Sequence, residues 1–226
     1  MCDEFSPRLR AKELAKLAAA RMADLKAAGE SLHPVVNVSR KLATHFWGQA
    51  WMRHLAHCED GGLCLAPGRM LLRHGCVLDV RLAPGLITAK VSADEIYEVS
   101  LRMAPPDDER VEALRHRCSG HIDSLVSLLA GKIDDSVMQQ LCHPENGLLP
   151  EPADWHMFCS CADWAEPCPH AAAAIYAAGV LIDENPSLLF MLRSVDATSL
   201  VSTPVLTTQN FDASNLSSTF GIDIDI

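Results

Sequence analysis

Apolar positions along this chain keep a helical period first, then a strand-like one, then a helical one again. Within residues 7–28, Leu14, Leu17, Met22 and Leu25 approximate an i, i+3, i+4 stripe, which predicts one helix stopped by Gly29. Trp47 and Trp51 lie four apart in the aromatic segment 46–51, so on a helix they share a face. Two tryptophans so placed read as a packing anchor in preference to a ligand box. Between residues 69 and 103 the period shortens. Residues 77–83 and 86–91 show strand-like enrichment with partial alternation, and Pro84-Gly85 between them signals a tight turn. Residues 95–101 add a further strand and 70–73 a short first one, which predicts a four-stranded antiparallel meander curled into a small half-barrel.

Pro105-Pro106 ends the strand-like region, and helical periodicity returns over 107–117, 122–130 and 135–141. Two prolines and a glycine make 143–150 a loop. Helices are expected from Pro169 to about Ala178 and from Pro186 to Leu192, and the Ser/Thr-rich stretch 194–210 reads as an extended linker. The expected fold class is therefore α+β. Its expected divisions are an N-terminal helix and linker (1–45), an α+β domain bearing the meander (46–142), a metal-binding region (143–193), and a linker with an acidic–apolar tail (194–226). In that tail, Phe220 to Ile226 alternates apolar and acidic residues, a pattern that suits an edge strand on its own sheet or on a partner's.

With 226 residues, 49% of them hydrophobic, the chain can bury a core in one domain or two small ones. The first five residues carry neither a basic nor an apolar leader signature, and the longest apolar run, 171–182, is too short to span a bilayer. Nine cysteines, an odd number, argue against a disulfide framework and for metal binding in a cytosolic protein. Charge is divided unevenly. Residues 145–226 hold one cation, Arg193, against eleven carboxylates, while the first 144 residues hold eighteen of each. Affinity for duplex DNA rests largely on phosphate neutralisation by Lys and Arg, so the C-terminal segment is poorly suited to it. Between Arg8 and Lys26 six cations face two anions, either a solvated helix face or a nucleic-acid or partner-binding arm. Arg69, Arg73 and Arg81 make the predicted sheet the best remaining place for a phosphate contact.

The densest chemistry lies between 159 and 170. Cys159, Cys161, Cys168 and His170 form two tight pairs, C-x-C and C-x-H, six residues apart. A structural zinc ion takes a closed tetrahedral shell of thiolates and imidazole, which these four can supply unaided. The alanine-rich run from Ala171 places Cys168 and His170 at a helix start, where the dipole favours a thiolate, and Pro169 suits the first turn. A second grouping, Cys118 and His121 with Cys142 and His143, has poor spacing for one ion and reads as packing cysteines and surface histidines. Four protein ligands leave zinc no open position, and no nucleophile elbow, P-loop, HExxH or dinucleotide fingerprint is present, so the chain is not expected to be an enzyme.

The C-x-C…C-x-H pattern resembles the SWIM zinc finger. So do Leu148-Leu149-Pro150 before it, Cys161-Ala-Asp-Trp164 within it, His170 to Tyr176 after it, and Asn185-Pro186 to Arg193. Upstream, Phe46 to Trp51, Pro67-Gly68-Arg69, Arg73-His-Gly75 and Cys118 to Leu125 are similar to the bacterial stand-alone SWIM zinc finger proteins. The resemblance runs from about Ser6 to Arg193, with Pro169 in place of the lysine usual between the second pair of ligands. It implies one structural zinc and a protein partner, a Snf-type helicase-like ATPase, with the chain acting as an adaptor in DNA transactions. Direct nucleic-acid binding through the N-terminal region is the alternative.

Overall fold

The N-terminal stripe folds as helix α1, Ala11–Ala27, with Leu14 and Ala18 buried. Gly29 follows at φ 88°, and the N–H groups of Gly29 and Glu30 donate to the carbonyls of Lys26 and Leu25. This is the Schellman arrangement, which only a residue tolerant of positive φ closes without strain. The computed structural model describes residues 11–56, 62–119, 127, 135–143, 145–151, 154–162 and 167–200. Apart from residue 127, which is helical, the predicted helix over 122–130 lies outside the described residues, as does the tail 211–226.

Helix α2, Phe46–Ala56, carries Trp47 and Trp51 as packing anchors, both buried. Their indole N–H groups donate to the carbonyls of Asp183 at 3.1 Å and Ile175 at 3.0 Å, which satisfies the polar end of each ring. Helix α3, Gly62–Arg73, corrects one expectation: 70–73, predicted as a first strand, forms its last turn. Leu71 and Leu72 are fully buried there. A three-residue apolar run does not distinguish strand from buried helix, and packing decides it.

Strands β1 (Val77–Ala83), β2 (Leu86–Ser92) and β3 (Ile96–Met103) form the expected meander, with Gly85 at φ 66° in the two-residue turn where Ala83 pairs with Leu86. The fourth strand is β4, Trp155–Cys159, antiparallel to β3 with Met103 opposite Trp155 and Val99 opposite Cys159. The order β1-β2-β3-β4 is an open antiparallel sheet, and no β1–β4 pairing closes it among the described residues. Helices α4 (Asp108–Cys118, capped by the Asp107 carboxylate) and α5 (Asp135–Leu141) intervene between β3 and β4.

Helix α6, Pro169–Glu184, lies at the centre of the core, and every residue from Pro169 to Val180 is buried. Its alanines let α3, α2 and the sheet approach closely. A Cβ on Gly68 of α3 would sit 2.6 Å from the Ala172 Cβ, and one on Gly179 would sit 2.5 Å from Trp51 Cδ1. Gly179 therefore accommodates a tryptophan, and the helix runs six residues beyond the expected end at Ala178. Helix α7, Ser187–Leu192, and a 3-10 turn, Ala197–Leu200, follow.

One buried carboxylate ties α6 to α2. Asp183 accepts from the Thr44 N–H at 2.8 Å, the Thr44 hydroxyl at 3.0 Å and the His45 N–H at 2.8 Å, the groups that lead into α2. Asp183→Ala is expected to cost about 2 kcal/mol, the scale of a lost cap at a charged acceptor. Urea denaturation checks it, and a loss under about 0.5 kcal/mol would mean that water replaces the carboxylate fully.

Candidate metal centre

The end of β4 and the start of α6 bring the four predicted residues together. Cys159 closes β4 and Cys161 follows two residues on, the spacing that returns an extended chain to the same face. Ser160 continues the ladder by exchanging hydrogen bonds with Glu98: its N–H donates to the Glu98 carbonyl at 3.0 Å, and its Oγ accepts from the Glu98 N–H at 3.0 Å. On the other side Cys168 is the N-cap of α6, with φ −67° and ψ 167°, and its sulfur accepts from the Ala171 N–H at 3.4 Å. Pro169 takes the first helical position, as its locked φ favours. His170 follows in the first turn.

The ligand atoms of Cys159, Cys161, Cys168 and His170 all lie within 4.8 Å of one another, and His170 Nδ1 is 3.8 Å from Cys159 Sγ. Cys168 and His170 are buried, while Cys159 and Cys161 are half-buried. A hydrogen bond from Cys159 lowers the Cys168 thiol below its ordinary value against the opposing effect of burial, with His170 and the Ala171 N–H helping. The same bond, reinforced by burial, pushes the Cys159 thiol well above its ordinary value. A thiolate at a helix N-terminus beside two further sulfurs and an imidazole is a donor set for a soft or borderline cation. The four residues can hold one metal ion.

The second grouping does not assemble among the described residues. Cys118 and Cys142 are buried in the core, where burial raises both thiols, Cys142 to about 12. The His143 Nδ1 receives the backbone N–H groups of Glu145 and Asn146, each at 3.3 Å, in a local turn. His121 lies outside the described residues, as do Asp163 and Glu166 beside the first cluster. The arginines expected on the sheet are dispersed and internally engaged. Arg69 and Arg73 belong to α3; Arg69 lies 5.2 Å over the Tyr176 ring, and Arg73 donates to the Arg40 carbonyl at 3.1 Å. Arg81 alone is on the sheet, paired with Asp79 at 2.9 Å.

Contacts that sequence reasoning missed surround the cluster. Tyr97 of β3 stacks on His170, with ring centroids 4.0 Å apart and planes at 26°, and its hydroxyl donates to Asp94 at 2.8 Å. Tyr97 and His170 are far apart in the chain, and no periodicity or motif links them.

Fold and cluster together define an α+β protein with a Cys3His candidate metal centre. No family model matches the chain, and no solved structure matches it. It is similar to the uncharacterized protein Rv2102 of Mycobacterium tuberculosis (strain ATCC 25618 / H37Rv), with 26% identity over 172 residues. The match takes in 71% of this chain and 59% of that protein, so the chain spans less than two thirds of the relative's length. No helix among the described residues is long and apolar enough to cross a membrane.

Proposed function

We propose that the chain is a zinc-stabilised interaction module that docks on a protein partner, a helicase-like ATPase of the Snf type being the partner that the SWIM resemblance implies. The observation that carries the zinc reading is the convergence of three sulfurs and one imidazole nitrogen within 4.8 Å. Tetrahedral zinc with Zn–S bonds of about 2.3 Å holds its sulfurs roughly 3.8 Å apart, so a contraction of about an ångström closes the shell. Four protein donors leave no position for water or substrate, which makes the ion structural and argues against catalysis. Cys76, Cys118, Cys142, Cys159, Cys161 and Cys168 are free thiols, which suits a reducing cytoplasm.

The docking reading is supported by an apolar groove of about 510 Å³ between α1, the segment around Val36, and the α3–β1 junction. Val36 and Val38 are 57% and 81% exposed on that side. Lys26 and His74 line the groove and no acid does, while Lys12 and Lys16 flank it from exposed positions on α1. Glu13 and Asp24 fall on the far side of that helix. The complementary occupant is an acidic, apolar protein segment. A nucleic acid would use the same cations but gains little from an apolar floor, and the net −10 of residues 145–226 opposes it.

Affinity capture with the full chain tests this reading. The wild type is expected to retain a helicase-like ATPase from native extract, and Ala19→Glu, which fills the groove and sets a carboxylate against an acidic occupant, to lose it while keeping fold and metal. Retention of DNA that weakens steeply with salt, with no ATPase captured, would replace the adaptor reading with direct nucleic-acid binding through the N-terminal region.

A further inference from the structure

Cys159 and Cys161 are only half-buried, and Tyr97, itself half-buried, lies beside the cluster. The β3–β4 register ends where Val99 pairs with Cys159, and the Ser160–Glu98 hydrogen bonds hold the next residue beside β3, which keeps Cys161 near Tyr97. Tyr97 thus lies near one sulfur of the cluster and stacks on its imidazole. Its hydroxyl is held by Asp94 in the β2–β3 turn. That turn is itself clamped from α1. The Arg21 guanidinium donates to Ser92 Oγ at 2.9 Å, to the Ala93 carbonyl at 3.0 Å, to the Glu95 carbonyl at 2.9 Å, and to the Asp94 carbonyl. These contacts, three of them shared by the two hydrogens of Nη1, hold the turn that carries the Tyr97 acceptor.

We propose that Tyr97, held by Asp94 and Arg21, is a positioning residue of the metal centre that fixes the plane of the His170 ring and shields the cluster against metal exchange. This rests on the zinc reading above. Residues that orient a metal-ligating imidazole from outside the ligand set commonly change metal affinity by about 10- to 100-fold when removed. An aromatic ring stacked on the ligand restricts its rotation, and its bulk beside Cys161 obstructs the approach of a competing chelator.

The experiment loads the full chain with cobalt(II), whose visible spectrum reports ligand geometry, and follows release to excess chelator. Wild type is expected to bind one ion. Tyr97→Ala is expected to bind one ion as well, release it roughly ten-fold or more faster, and shift the ligand-field bands. Tyr97→Phe keeps the stacked ring and should recover most of the slow release, an outcome that a general loss of stability would not give. Should Tyr97→Ala fail to fold, Tyr97→Leu, which keeps an apolar side chain but loses the aromatic stack, carries the test: faster release than Tyr97→Phe is expected, and a release rate and spectrum equal to wild type overturn the proposal. A wild type that takes up no metal overturns the zinc reading and this proposal together. A wild type that loads one ion while Tyr97→Ala matches its release rate and spectrum overturns this proposal alone.

Discussion

Cys161→Ser protein is expected to purify with almost no bound metal, where the wild type carries close to one zinc per chain. Serine offers a neutral, hard oxygen in place of a soft thiolate, and the remaining three donors do not close a structural shell. The effect on folding should be large, because binding free energy at structural zinc sites, about 10–16 kcal/mol in zinc-finger peptides, is folding free energy. It should also be local. The ion would join β4 to the N-terminus of α6, whereas β1–β3 have their own buried contacts in Leu78, Ile87 and Leu101. Hydrogen exchange is expected to lose protection first in the β3–β4 ladder and at the start of α6, with β1 and β2 following later. Metal analysis with exchange mass spectrometry checks both halves. A Cys161→Ser chain that stays fully metallated and equally protected would end the zinc assignment.

Asp154→Ala is the second large effect expected. Arg193 is fully buried at the C-terminal end of α7, and its Nη2 donates to Asp154 at 3.1 Å. Its Nε and Nη1 find no hydrogen-bond partner among the described residues. Burial lowers the Arg193 pKa against the pull of Asp154, yet an arginine stays charged under any ordinary condition. Removing Asp154 leaves that charge uncompensated, which typically costs 3–5 kcal/mol. Asp154 is 26% exposed, so water can reach the vacated position and the lower end applies. About 3 kcal/mol corresponds to a melting temperature roughly 10 °C lower for a domain of this size. Arg193→Met in the Asp154→Ala background should recover part of the loss, because it removes the charge that Asp154 compensates. Equal melting temperatures for wild type and Asp154→Ala would show that the pair contributes nothing.

The parts legible in the sequence are those whose causes are local. Helix α1 ends at Gly29, α4 begins after Asp107, and Pro84-Gly85 turns β1 into β2, because each signal lies within a few residues of what it dictates. The clustering of Cys159, Cys161, Cys168 and His170 is legible for the same reason: each pair spans only three residues. What was not legible depends on distant partners. Residues 155–159 become a strand because β3, some fifty residues earlier, offers an edge, and residues 70–73 stay helical because α3 packs on α6. The helix passes its expected end near Ala178 because Gly179 makes room for Trp51, a partner far away in the chain. Tyr97, Asp183 and Arg193 act across the fold, where sequence spacing carries no information.

The placement of Cys159 and Cys161 at the end of a paired strand bears on how this chain can change length. Each half of the cluster is set by its own element, so a change of length between Cys161 and Cys168 disturbs the register of neither. Extra residues there should be absorbed at small entropic cost, since each doubling of a loop adds only about 0.6 kcal/mol. A single residue inserted within β4 is another matter. It would shift the register by one, turn both sulfurs to the opposite face of the sheet, and separate them from Cys168 and His170. Insertions and deletions among descendants of this sequence should therefore gather after Cys161 and avoid residues 155–159, a tolerance map that length variants of the gene can test directly.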